Sequence, residues 1–228
     1  MKVIRRISLL LLACISITSL PLTTRAAHTQ LPNGVWRVYI SNRPVVPVAQ
    51  QTPVWCWAAS LSALFGYFGH PVNQQRIVSR YFGGPVPTTG PPAVMINALN
   101  TEWQDDLGRR FRVASPVTNI YPPQAPTGPF DVNNIGMINA LDHEIPVFYA
   151  DTTHAMILVQ IDYIPAGPNN VQVVAGYAID PFPRLGPCPP YGWNSPCPGP
   201  NPTAIGFRQL QPNELTALFA GIPSVTNL

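Results

Sequence analysis

One thiol in this sequence stands where chemistry could be done. Cys56 lies in the run Gln50-Gln51-Thr52-Pro53-Val54-Trp55-Cys56-Trp57-Ala58-Ala59-Ser60, and no Asp, Glu, Lys or Arg occurs between Arg43 and Arg76. From Ala58 to Phe68 almost every residue is apolar or small, which reads as a helix buried on all sides. The run is too short, and too rich in Ser and Gly, to span a bilayer, which takes about 20 apolar residues. Pro53 suits a helix start and not an interior, so Cys56 falls in the first turn. There the helix dipole and a neighbouring imidazolium favour a thiolate, and unpaired backbone N–H groups can receive an oxyanion. Taken alone, Cys56 reads equally as an inert buried cysteine; its partners decide.

A cysteine nucleophile needs a base, a group that orients the base, and oxyanion donors. The Cys56 N–H is one donor, and the side-chain amides of Gln50 and Gln51 both qualify as the second. Four histidines could be the base: His28, His70, His143 and His154. His28 is at the start of the expected mature chain. His70 lies beyond the Cys56 helix, about 20 Å away at about 1.5 Å per residue. His143 ends a helix beside Glu144. His154 sits where Asp151-Thr152-Thr153 enters the strand pattern Ala155 to Tyr163, a rigid place for a base. Asp180 ends the next strand and can lie beside it, although Asp180-Pro181 also reads as a plain turn opener.

Gln50, Cys56-Trp57-Ala58, His154 at a strand start and Asp180-Pro181 after the next strand resemble the papain-like cysteine peptidases. More narrowly, the chain is similar to their secreted bacterial branch, which includes bacteriocin leader peptidases and some plant-pathogen effector proteases. The resemblance implies Cys56 as nucleophile, His154 as base, Asp180 as third residue and Gln50 as oxyanion donor, since the family's Gln lies six positions before the Cys. It also implies an α+β, papain-like fold, with an N-terminal helical part whose Cys helix packs on a C-terminal antiparallel sheet. Two departures stand out: the bulky Trp55 before the nucleophile, and a loop from Pro181 to Pro202 longer than the family needs. The implied activity is peptide-bond hydrolysis through a Cys-His-Asp triad. Alternatives are acyl or amide hydrolysis or transfer on the same triad, including cell-wall peptide cross-links, and an inactive binding module that uses the Tyr191–Trp193 loop.

Around these residues the expected elements are a strand at 35–40, a helix from Gln74 to Tyr81 capped by Asn73, a helix from Ala93 to Trp103, and a strand at 109–113. A helix from Val132 to Asp142 capped by Asp131 follows. Strands are expected at 147–150, 155–163, 171–179 and 204–208, and a last helix from Pro212 to Ala220. Helices first and sheet second is the α+β pattern.

Residues 1–26 read as a secretory signal peptide: Lys2, Arg5 and Arg6, then an apolar block, then cleavage after Ala26. Leu11-Leu12-Ala13-Cys14 offers an alternative, a lipoprotein signal with a lipid anchor at Cys14. Ordinary cleavage, and hence a secreted or periplasmic protein, is the reading adopted. Removing residues 1–26 takes away Lys2, Arg5, Arg6 and Arg25 and no acid, which lowers the formal charge from +3 to −1. A nearly neutral chain has no electrostatic footprint for nucleic acid. Residues 27–228 suffice for one domain, expected as a monomer acting on a peptide or protein substrate. Cys188 and Cys197, in the Pro-rich loop at 181–203, are expected to form a disulfide in an oxidising compartment. No Cys/His spacing suits zinc and no glycine loop suits a phosphate, so neither metal nor cofactor is expected.

Overall fold

In the computed structural model, residues 27–119, 134–167, 170–182, 206–215 and 219–228 are described. The expected signal peptide, Asp131 cap, Cys188–Cys197 disulfide and Tyr191–Trp193 contact loop lie outside them.

The chain is mixed α+β. In order it forms β1 (Ala27–Gln30), β2 (Trp36–Tyr39), α1 (Cys56–Tyr67), α2 (Gln74–Phe82), α3 (Pro92–Ala98), β3 (Glu102–Gln104), β4 (Arg110–Ala114), β5 (Val117–Asn119), α4 (Asn134–Asp142), β6 (Val147–Ala150), β7 (Ala155–Gly167), β8 (Asn170–Ile179), β9 (Phe207–Gln209), a 3-10 turn (Pro212–Glu214), β10 (Phe219–Gly221) and β11 (Ser224–Asn227). All strand pairs are antiparallel.

The large sheet is built on β7. Its Ala155–Leu158 half pairs with β6 and its Gln160–Tyr163 half with β2, while β8 pairs along the opposite edge. Alternation along β7 feeds two cores. Ala155, Ile157 and Val159 join α1, and Met156 and Leu158 join Met137 and Leu141 of α4. An irregularity between Leu158 and Gln160 shifts the phase, and beyond it Ile161 and Tyr163 pack on the α4 side.

α1 is buried along nearly its whole length; Cys56 and Gly66 are its only residues that are not. It packs on β7, where the Ser60 hydroxyl donates to the Ala155 carbonyl (3.0 Å). On its other side Phe65 meets Trp103 and Phe111, whose strands form a second small sheet with β11. α2 starts as its sequence predicts, with Asn73 accepting from the Arg76 N–H (2.9 Å).

Two expected helices are corrected. α3 ends at Ala98, and Trp103 lies on β3. The Asn100 side chain donates to the Ile96 carbonyl and accepts from the Ser115 N–H, and the Trp103 indole donates to the Ala98 carbonyl (2.9 Å). Side chains thus satisfy the end of α3 and turn the chain into a strand. The helix expected from Pro212 to Ala220 is only a 3-10 turn. Phe219–Gly221 instead forms the strand between β6 and β5, which takes up its backbone bonds and buries Phe219.

Candidate active site

Cys56 is the first residue of α1, and no side chain caps that end. The first-turn N–H groups therefore keep their donor capacity toward the side where Cys56 emerges. Two tryptophans flank Cys56: Trp57 lines the cavity there, and Trp55 is buried beside it. Trp55, which the sequence leaves unexplained, is buried and donates its indole N–H to the Val86 carbonyl (2.9 Å); Trp57 donates to Thr88 (3.4 Å). Both indoles staple the 84–91 loop across the start of α1. Gly90 is obligatory in that loop, since a Cβ there would lie 2.5 Å from the Trp57 ring.

His154 is held from two directions. Asp151, buried, accepts from the His154 N–H (2.6 Å), the Thr153 N–H (2.6 Å) and the Thr153 hydroxyl (2.9 Å), a turn that sets the backbone just before β7. The ring itself bonds through Nε2 to Asp180 Oδ1 (2.8 Å), which leaves Nδ1 for another partner, and Cys56 lines the same cavity beside the ring. Burial pulls the imidazole pKa down. The hydrogen bonds and charges of Asp180 and Cys56 outweigh it and hold the group at about 10. Burial pushes the Asp180 carboxyl up, but His154, Arg208 and the Phe182 N–H hold it far below the usual carboxylate range. Asp180 is also the turn residue its Asp-Pro context suggests: Oδ1 accepts from the Phe182 N–H (2.8 Å) as well. The chain returns beside it at Gly206, whose carbonyl accepts from the Asp180 N–H (2.7 Å). A Cβ on Gly206 would come within 2.8 Å of the Asp180 carbonyl.

His154 at the start of β7 and Asp180 at the end of β8 are thus bonded, with Cys56 of α1 beside the ring. Cys56 and His154 open into a cavity of about 440 Å³ with Pro53, Val54, Trp57, Thr89–Pro92, Met95 and Asp151 around them. No family model, curated protein or solved structure matches this chain. The site is therefore read from its own geometry.

Neither Asp180 nor Gln50 lines the cavity; Asp180 reaches the site through its bond to His154, whereas Gln50 bonds neither Cys56 nor His154. Its backbone is in place, since its N–H donates to the Pro181 carbonyl (2.8 Å). Its amide is turned inward, with Nε2 on the Thr52 carbonyl (2.9 Å) and Oε1 buried without a partner. Gln51 does not replace it: its N–H is held by the Gln74 side chain, which also donates to Ala49. The other histidines lie elsewhere. His28 bonds the Tyr163 hydroxyl, His143 the Asn139 carbonyl, and His70 is buried between Asp105 and Asn227.

Sequence reasoning misses Arg208 and Glu214. Asp180 Oδ2 accepts from Arg208 Nε (2.5 Å), and the fork of Arg208 grips both oxygens of Glu214 (2.6 Å each). The available clue was an arginine in the apolar strand pattern Ala204 to Arg208, next to a Pro-Asn-Glu turn. Among the described residues no His/Cys/Asp/Glu group could hold a metal ion, and no helix is long and apolar enough to cross a membrane.

Proposed function

We propose that this protein is a papain-like cysteine peptidase, exported by its 1–26 segment and acting on a peptide or protein outside the cytoplasm. The observation that carries the reading is His154 bonded to the Asp180 carboxylate and set beside the Cys56 thiol at the mouth of a cavity. The helical N-terminal part packed on the antiparallel sheet supports the papain-like fold.

In this mechanism the Cys56 proton already rests on the His154 ring, and the Cys56 sulfur attacks the scissile carbonyl carbon. The oxyanion is received by the Cys56 N–H at the uncapped helix start. Collapse expels the amine, which takes the proton from His154, and leaves a thioester on Cys56. His154 then removes a proton from water, whose oxygen attacks the thioester, and the acid product leaves. Asp180 keeps the ring oriented and balances the imidazolium. Gln50 becomes the second oxyanion donor once its amide turns from Thr52 toward the cleft.

The inward Gln50 amide favours a second reading, an inactive binding module of the same architecture. An electrophilic thiol probe and a peptide-library digest separate the two. The peptidase reading expects rapid labelling at Cys56 and cleaved peptides, both abolished in a folded Cys56→Ala protein. Folded, reduced wild-type protein that neither labels nor cleaves would overturn it.

A further inference from the structure

Asp180 has two carboxylate oxygens, and only Oδ1 serves His154. Oδ2 is taken by Arg208, which is 7% exposed. Arg208 lies on β9 opposite Ala178 of β8, so the sheet register sets its distance from Asp180. Its outer nitrogens bond Glu214 Oε1 and Oε2, and Nη2 also lies 3.1 Å from Met156 Sδ. Glu214 is fixed in turn: its carboxylate accepts from the Gln211 N–H (2.6 Å), and its carbonyl from the Tyr149 hydroxyl (2.6 Å). The charges alternate from imidazolium to carboxylate, guanidinium and carboxylate. The neighbouring titratable groups are Cys56 on α1, Asp151 before β7 and Tyr149 on β6.

We propose that Arg208 and Glu214 are positioning residues that hold Asp180 for His154, with Glu214 drawing enough of the Arg208 charge away to leave Asp180 negative toward the ring. The proposal rests on the thiol–imidazole reading of the site. Arg208 fixes the Asp180 rotamer by a planar, two-sided grip that an ammonium cannot copy. Without Arg208, two buried carboxylates would face each other and one would bind a proton. Without the Glu214 charge, Arg208 would neutralise Asp180 more fully, and His154 would lose part of its counter-charge.

The test follows Cys56 alkylation by iodoacetamide across pH, together with the His154 ring titration by NMR; neither needs a known substrate. Glu214→Gln should lower the His154 titration, and with it the alkaline limb of alkylation, by about one pH unit. Arg208→Lys should lower the same limb and slow alkylation at pH 8 about tenfold. Folded variants with the wild-type profile would overturn the clamp. If neither variant folds, the wild-type Asp180 carboxyl decides: it should stay ionised well below the ordinary value of about 3.9, and titration at that value overturns the proposal. Wild-type protein whose thiol alkylates no faster than free cysteine, with His154 titrating near its ordinary value, would instead remove the thiol–imidazole reading, and the clamp with it.

Discussion

The molecule contains two clusters of the same three side chains. In one, His154 bonds Asp180 (2.8 Å), whose other oxygen accepts from Arg208 Nε (2.5 Å). In the other, His70 bonds Asp105 (3.1 Å), which accepts from Arg109 Nε (2.8 Å). The difference lies at the remaining ring nitrogen. His154 turns it to a thiol at a cavity, whereas His70 Nε2 is closed by the Asn227 side chain (2.7 Å) and the ring is stacked on Phe111 (4.3 Å between centroids). His70 therefore ties the end of α1 to β11, a covalent-like staple made of hydrogen bonds. A histidine–carboxylate–arginine set is a piece of chemistry only where one ring nitrogen is left for something that reacts.

Replacing each histidine breaks the comparison most sharply. His154→Ala should lower turnover by about 10³-fold or more, a loss that persists in the folded protein. His70→Ala should act on stability instead: it removes a packed ring and the bonds to Asp105 and Asn227, costing about 2–3 kcal/mol, with activity per folded molecule retained. Denaturant melts and active-site titration of the two proteins separate the effects; equal losses of activity would erase the distinction.

pH is the next lever. His154 is raised from its ordinary value to about 10. The stability from its protonated form is therefore fully present below the unfolded value near 6.5 and is lost as pH rises through about 10. The same titration sets the alkaline limb of activity, and Asp180→Asn should move that limb down by about one to two units, read from kcat/KM against pH. Asp105 answers at the other end. Burial pushes it up, but the Arg109 amide, His70, the Arg109 side chain and the Leu107 amide hold it at about 2. Its contribution is present above the ordinary carboxylate value and fades as pH falls toward 2, a stability effect with no activity limb.

The smallest expected effect is at Trp55, which is buried beside the cavity and tethers the 84–91 loop. Trp55→Phe keeps the buried ring and removes only the bond to Val86. It should cost about 1 kcal/mol and raise KM while kcat holds, which a steady-state assay would register.

Cys56, His154 and Asp180 are legible in the sequence because each sits at an element boundary that local rules mark: a proline before a buried helix, a turn before a β-branched run, an Asp-Pro after the next run. Arg208 and Glu214 are not. Their pairing depends on the β8–β9 register and on a turn that becomes visible only when Phe219–Gly221 is taken into the sheet. The same non-local force defeats the last expected helix, whose Pro212 start and Glu214 capping bond are real but extend only one turn. Trp103 misleads for a different reason: at helical spacing from Leu99, it reaches the core equally well from a strand. The order of helices before sheet hides that β1 and β2, from the start of the described chain, complete the sheet beside β7.

That pairing of β2 with β7 has a kinetic consequence. Trp36 lies opposite Tyr163, and Gln50 meets Pro181, so two segments ahead of Cys56 lack these long-range partners until the last third of the chain is made. Closing such distant contacts is slow. The thiol should therefore pass through synthesis without its base, and acquire reactivity in a single late step. In refolding, Cys56 alkylation should rise with the same time constant as the sheet's circular dichroism, with no earlier phase of its own.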